Sequence, residues 1–243
     1  MNSTPAQPQD SWQLLWTELA QIRQYLDQQI ARVQNKTVAE TASSIAAAPT
    51  LDRLCQTFGL SQFERHILLL CVGMELDKTL AALCAEAQGD RPMPYPTFEL
   101  ALAALPHPHW SALTPTSPLR RWRLIEVGAG QTLLGSPLRV DEWVLHSLTG
   151  ADCCDDRLTN LIHPIAPPPA LVPSHQHLAS QLAHLWQSGS GDYPVVQLHG
   201  EDTNKPAIVA AACAQLGWSL FGLSALALPT QPTDLQTLVV LWQ

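Results

Sequence analysis

Residues 50–77 read TLDRLCQTFGLSQFERHILLLCVGMELD, and this stretch decides the fold. Apolar residues recur at helical spacing on both sides of Gly59, which predicts two helices interrupted at this glycine. Thr50 is the predicted N-cap of the first helix, and Ser61 with Glu64 forms the S-x-x-E capping box of the second. Two helices joined by so short a turn are typical of a helix-turn-helix.

The sequence after this stretch extends the helix-turn-helix into a larger domain. The predicted elements are, in chain order, a helix over 78–88, a helix FELALAALP after the N-cap Thr97, a strand in LRRWRLIEV (119–127), a turn at 128–130, a strand in QTLLGSPLRV (131–140), and helices in 141–150 and 155–162. Several helices followed by a two-stranded hairpin indicate a winged-helix domain, which we place at residues 50–165.

Residues 1–49 form the predicted N-terminal segment, an amphipathic helix over 12–34 and a small polar hinge after it. Apolar residues lie seven apart, with more at the intervening positions, and Gln29 interrupts the pattern. This pattern fits either a helix docked on the body of the protein or a short coiled coil that makes a homo-oligomer. The apolar positions are Trp12, Leu15, Leu19, Ile22, Leu26 and Val33.

Residues 166–243 follow the proline-rich segment HPIAPPPALVP, which marks a domain boundary. Their pattern is a helix over 177–189, a strand YPVVQLHG (193–200), a helix over 206–217 and a strand over 218–228. A strand, a Gly turn, a helix and a strand predict a parallel βαβ unit. The predicted fold class is therefore α+β: an N-terminal helix, a winged-helix domain, and an incomplete α/β module of P-loop-like type.

The loop GEDTNKPA that begins at Gly200 is a degenerate phosphate loop. A P-loop requires GxxxxGK[ST], but counting from Gly200 places Lys205 at the second glycine, Pro206 at the lysine and Ala207 at the hydroxyl. Gly200 and Lys205 are the candidate cofactor-binding residues. We predict a non-hydrolysing relic of a nucleotide site, and an ordinary α/β turn of the same shape is the alternative.

Arg120, Arg121 and Arg123 surround Trp122 and form the densest basic patch of the chain. On a wing strand they could contact phosphates, with Trp122 as a stacking surface. The alternative is that Trp122 faces the core while the arginines pair with nearby acids. The predicted recognition helix after Thr97 has no Lys, Arg, Asn or Gln with which to read bases, which disfavours DNA binding.

The composition limits the partners. The chain has 13 Lys and Arg against 21 Asp and Glu, for a net charge of −8, so we expect no overall attraction to nucleic acid or to an anionic membrane. It has no run of roughly 18 apolar residues and no signal peptide, so we expect a cytoplasmic protein. The six cysteines are expected as buried free thiols, and no metal site is predicted.

Long segments of the sequence resemble the sequences of bacterial AAA-type ATPases. Residues 51–90, 94–127 and 136–150 resemble the N-terminal winged-helix region of these proteins, and residues 195–229 resemble the start of the degenerate first ATPase module that follows it. The resemblance implies ATP and Mg²⁺ in a full-length parent, an ATP hydrolase whose complete Walker motifs lie further downstream. It also implies that this chain is an N-terminal fragment, and it assigns no catalytic residue or cofactor to these 243 residues.

The predicted function is therefore that of a non-catalytic N-terminal segment of an AAA-type ATPase. It would act in assembly or in recruiting a protein partner or remodelling substrate, and it would contact the rest of the AAA protein. The alternative is a winged-helix DNA-binding regulator that uses Arg120, Arg121 and Arg123.

Overall fold

The computed structural model describes residues 8–36, 48–89, 93–150, 158, 161–188, 194–201 and 203–241. The chain divides into two compact units, residues 1–154 with 238–243 and residues 155–237. The described residues form a mostly helical α+β protein with two small two-stranded sheets. The expected α+β class is confirmed at this level, and the domain bounds given above stay a prediction.

The first unit contains a helical body and one β-hairpin. Its elements are α1 (Pro8–Val33), α2 (Pro49–Phe58), α3 (Gln62–Leu76), α4 (Leu80–Ala87), α5 (Phe98–Ala104), a 3₁₀ helix (Trp110–Leu113), α6 (Pro118–Arg121), β1 (Ile125–Val127), β2 (Leu138–Val140) and α7 (Glu142–Thr149). One hydrophobic core holds them together, with α3 buried along most of its length.

The turn between α2 and α3 forms as predicted. Gly59 ends α2 in the left-handed conformation, at φ 66°, where a side chain would be strained. Ser61 and Glu64 form both bonds of the capping box at the start of α3. The predicted cap at Thr50 is wrong: α2 begins at Pro49, which takes up the helical conformation with no N–H to be satisfied, so Ala48 precedes the helix.

Helix α1 is part of this core. Its apolar stripe is buried against the helical body, whereas Trp12 and Val33 at the two ends are 36% and 44% exposed. The structure thus shows the docked helix, and self-association through residues 12–34 stays a prediction. The buried residues of the stripe are Leu15, Leu19, Ile22, Leu26 and Ile30.

Strands β1 and β2 form an antiparallel hairpin in which Ile125 faces Val140 and Val127 faces Leu138. The hairpin is shorter than predicted because residues 118–121 are helical and residues 131–137 form a folded loop. This loop returns toward α5, where the carbonyl of Leu134 accepts a hydrogen bond from the N–H of Glu99. The predicted two-stranded hairpin is confirmed, with shorter strands.

The second unit consists of a helix pair and a small sheet. Its elements are β3 (Ile162–Ile165), α8 (Pro173–Gln187), α9 (Lys205–Gln215), β4 (Leu220–Leu223) and a 3₁₀ helix (Ala225–Ala227), and α10 (Pro232–Leu241) follows. Ala179, Leu182 and Ala183 of α8 pack with Ile208 and Ala212 of α9 in a separate core.

The predicted parallel βαβ unit is wrong. Residues 194–199 lie outside any strand, and Val195 is 95% exposed. Strand β4 instead pairs antiparallel with β3, which lies in the segment predicted to be a proline-rich linker. Pro164 is tolerated there because a two-stranded sheet has only edge strands, in which one N–H need not join the ladder. The described part of the chain therefore forms no P-loop-like α/β module.

Some predictions fall outside the described residues. These are residues 37–47 of the predicted hinge, the helix over 155–162 except for Leu158 and residues 161–162, and two of the cysteines, Cys153 and Cys154. The four described cysteines are free and buried, as expected. No described helix is long and apolar enough to span a membrane.

Candidate interaction surface

The N-terminal end of α5 is the place to test the DNA-binding alternative, because a recognition helix presents this end to the bases. Thr97 caps α5 by accepting a hydrogen bond from the N–H of Leu100 at 3.0 Å, as predicted. The N–H of Glu99 donates to the carbonyl of Leu134, in the loop between β1 and β2, at 3.1 Å. This end of α5 is thus covered by the protein's own hairpin loop.

The side chains of α5 also disfavour DNA binding. Phe98, Leu100, Ala101 and Ala104 are buried in the core. Of the rest, Glu99 is exposed and negative, and Leu102 and Ala103 carry no hydrogen-bonding group. The helix therefore has no side chain that donates to a base edge, and its one exposed charge repels phosphate.

The three arginines do not lie on a strand, which corrects the predicted wing. Arg120 and Arg121 end α6, a helix that starts at Pro118, and Arg123 follows in a turn with φ 51°. The guanidinium of Arg120 donates to the carbonyl of Leu113 at 2.7 Å. Arg120 therefore has a structural role, because it ties α6 to the preceding 3₁₀ helix.

Arg121 and Arg123 are exposed, and an aromatic side chain accompanies them. The guanidinium carbon of Arg121 lies 4.5 Å from the ring centroid of Trp122, a cation–π contact. Trp122 is half-buried and packs against Phe58 of α2, with ring centroids 6.1 Å apart. The alternative that Trp122 faces inward is correct in part, since its ring supports the Arg121 cation and also packs against the core.

No carboxylate pairs with these arginines among the residues that the structure describes. The ion pairs found there involve Arg23, Arg65 and His146 instead. The acid nearest in sequence, Glu126 on β1, lies directly opposite Arg139 of β2. The alternative pairing of the arginines with nearby acids does not form among the described residues, where no carboxylate compensates the positive charge of Arg121 or Arg123.

Residues 2–162 match the family described as "Winged helix domain, variant". The chain belongs to this family. The match includes α1, so the winged-helix domain of this chain extends beyond the predicted helix-turn-helix and hairpin to the N-terminal helix. No curated protein and no solved structure matches the chain.

The second predicted site, at Gly200 and Lys205, lies outside the winged-helix match. Lys205 is the first residue of α9, and its ammonium donates to the carbonyl of Gly200. Gly200 has φ 124°, and no described atom lies within 4 Å of where a Cβ would stand. Pro206 removes one helical N–H, and Glu201 is exposed beside the loop. A proline without an N–H and an exposed carboxylate are a poor fit to a nucleotide phosphate, and the degenerate phosphate loop at Gly200 and Lys205 stays a prediction.

A buried ionic cluster was missed at the sequence level. Glu18 of α1 accepts from Arg65 of α3 and from the N–H of Ala48, and Arg65 also pairs with Asp52 of α2. Burial disfavours the Arg65 cation, but its hydrogen bonds to both carboxylates raise its pKa above the ordinary value. In the sequence Glu18 lies beside the apolar stripe of α1, next to Leu19, but that position alone does not identify Arg65 as its partner.

Two histidines lie near this cluster. His66 is on α3, and His109, just before the 3₁₀ helix, packs against Phe63 of α3. Burial, with the positive charge of Arg65, lowers the pKa of His66 to about 4, and its Nδ1 has no described partner. His109 Nε2 lies 2.9 Å from the Oγ of Ser61, which links the 3₁₀ helix to the capping box. No group of three His, Cys, Asp or Glu that could hold a metal occurs among the described residues.

Proposed function

We propose that this chain is a non-catalytic protein-interaction segment of an AAA-type ATPase, in which the winged-helix domain recruits a partner or contributes to assembly. The observation that carries the proposal is the hydrogen bond from Glu99 to Leu134, which occupies the end of α5 that a DNA-binding winged helix uses. The net charge of −8 supports a protein partner further.

The connection to AAA-type ATPases rests on the sequence resemblance of residues 51–150 and 195–229. The poor fit of Gly200 and Lys205 to a phosphate supports a non-catalytic role for this chain. We expect titration of the chain with a fluorescent ATP analogue and Mg²⁺ to show no saturable binding. An affinity like that of active P-loop proteins, lost on Lys205→Ala, would contradict the non-catalytic assignment.

Photo-crosslinking in the cells that produce the protein tests which class of molecule is bound. A photoreactive phenylalanine analogue replaces Trp110, which is 61% exposed, or Leu133 in the hairpin loop. We expect adducts that protease digests and nuclease leaves intact. Adducts that nuclease removes would overturn the proposed protein-interaction function.

The DNA-binding alternative retains one favourable observation, namely that Arg121 and Arg123 are exposed and have no described carboxylate partner. A gel shift at low salt with duplex DNA tests it directly. A salt-dependent shift that disappears in an Arg121→Gln/Arg123→Gln variant would favour this alternative, whereas no shift would exclude it.

A further inference from the structure

We infer that Arg121, Trp122 and Arg123, here called the arginine–tryptophan face, bind an acidic segment of a partner protein. The inference rests on the proposed protein-interaction function and names the chemistry of the partner. The face belongs to the first unit, with Arg121 at the end of α6 and Arg123 in the turn before β1.

The arginines of this face are available to a partner. Arg121 and Arg123 are exposed, and no described carboxylate pairs with either side chain. Glu126, the nearest acid in sequence, forms no ion pair with either arginine and lies opposite Arg139 in the hairpin register. Because the whole chain has a net charge of −8, two neighbouring cations with no described acidic partner are a local exception, and they are complementary to carboxylates.

The face is also held in place. Arg120 fixes α6 through its bond to the carbonyl of Leu113, and Trp122 rests on Phe58. The Trp122 ring in turn supports the Arg121 guanidinium, which limits the conformational entropy that this arginine loses on binding. Arginine and tryptophan side chains in this kind of arrangement dominate the binding energy of many protein interfaces.

An acidic protein segment fits this face better than nucleic acid does. Two exposed arginines satisfy carboxylates bidentately, whereas a duplex requires a longer track of cations and a helix end that enters a groove. Here the end of α5 is covered by the hairpin loop, and Glu99 adds a negative charge at that end. Trp110 on the 3₁₀ helix next to α6 is 61% exposed and offers apolar area to a partner that has apolar residues between its acids.

Fluorescence anisotropy with a labelled peptide of Glu interspersed with Leu tests the inference on the full chain. We expect binding that weakens several-fold as salt rises from about 50 to about 300 mM, and no binding of the same peptide with Gln in place of Glu. The variant Arg121→Gln/Arg123→Gln should bind about tenfold more weakly. The control Arg32→Gln/Arg53→Gln removes the same charge from exposed positions on α1 and α2 and should change the affinity less than about twofold.

The outcomes separate this inference from the proposed function. If the wild type does not bind the Glu peptide, or both variants lose affinity equally, the inference is overturned, while protein adducts in the crosslinking experiment would leave the proposed function in place. If duplex DNA binds instead, with loss in the Arg121→Gln/Arg123→Gln variant and nuclease-sensitive adducts, both are overturned. Equal melting temperatures of the two variants exclude unfolding as the cause of a loss.

Discussion

The guanidinium of Arg65 donates to both carboxylate oxygens of Glu18, with its Nη2 2.6 Å from Oε1 and 2.8 Å from Oε2. Both side chains are largely buried, with 13% and 6% exposed. Glu18 Oε1 also accepts the N–H of Ala48 just before α2, so one carboxylate connects α1 to α2 and α3. This pair explains how a helix with a mixed surface is held in one position on the core.

Removing one partner of this pair should strongly reduce the stability of the protein. We expect Glu18→Leu to reduce the free energy of unfolding by about 3–5 kcal/mol, because Arg65 then stays buried with only the half-exposed Asp52 as its partner. Denaturant unfolding followed by tryptophan fluorescence measures the loss. The double variant Glu18→Leu/Arg65→Met should recover much of it, and Glu142→Gln, at a carboxylate 83% exposed, is the surface control. A loss below about 1 kcal/mol would show that the pair is energetically a surface pair.

The stability of the first unit should fall in mild acid because of His66. Its pKa is about 4 in the folded protein and about 6.5 when unfolded. As the pH drops below 6.5, His66 binds a proton in the unfolded chain but stays neutral in the folded chain. The free energy of unfolding therefore falls progressively, by up to about 3 kcal/mol near pH 4.

Unfolding titrations between about pH 7 and about pH 5.5 measure the onset of this effect while ordinary carboxylates stay almost fully ionised. His66→Leu should flatten the dependence, since Nδ1 has no described partner to lose. His146→Gln, at a half-exposed histidine of α7, should leave it unchanged. An equal slope in wild type and His66→Leu would show that another group is responsible.

Features that depend on neighbouring residues could be predicted from the sequence, whereas features that depend on contacts between distant residues could not. The cap of Thr97 and the turn at Gly59 depend on neighbouring residues, and both form as predicted. The pair of Glu18 with Arg65 joins residues 47 apart, and no local pattern specifies it. The segment 193–200 is predicted as a buried strand from its apolar residues, but a strand also needs a neighbour, and β4 pairs with β3 instead.

The same reasoning applies to the candidate surface. The cluster of Arg120, Arg121 and Arg123 was visible in the sequence, but its placement was not. Pro118 starts a short helix here, which turns a predicted alternating strand into a helix end. Whether an arginine meets an acid depends on tertiary placement, as the pairing of Arg65 with Glu18 on another helix shows.

Ser61 should contribute more to the free energy of unfolding than a solvent-exposed N-cap residue does. Its Oγ accepts from the N–H of Glu64 and also contacts Glu64 Oε2 and His109 Nε2. We expect Ser61→Ala to lower the free energy of unfolding by about 2 kcal/mol, at the upper end for a lost cap, because the buried Glu64 carboxylate loses a hydroxyl partner as well. Ser61→Thr keeps the hydroxyl and should retain most of the stability. Equal losses in the two variants would place the effect elsewhere than in the hydroxyl.

Gly130 controls how the hairpin loop closes on α5. A Cβ at this position would lie 2.8 Å from the Cα of Ser136, a backbone atom that cannot rotate away. We therefore expect Gly130→Ala to cost about 1–3 kcal/mol, as overpacking does, and to loosen the bond between Glu99 and Leu134, which faster hydrogen exchange of the Glu99 amide would report. Gly135→Ala in the same loop meets only the Thr132 hydroxyl at 3.2 Å and should cost much less. If the two variants behaved alike, close backbone approach at Gly130 would not be what holds the loop over the end of α5.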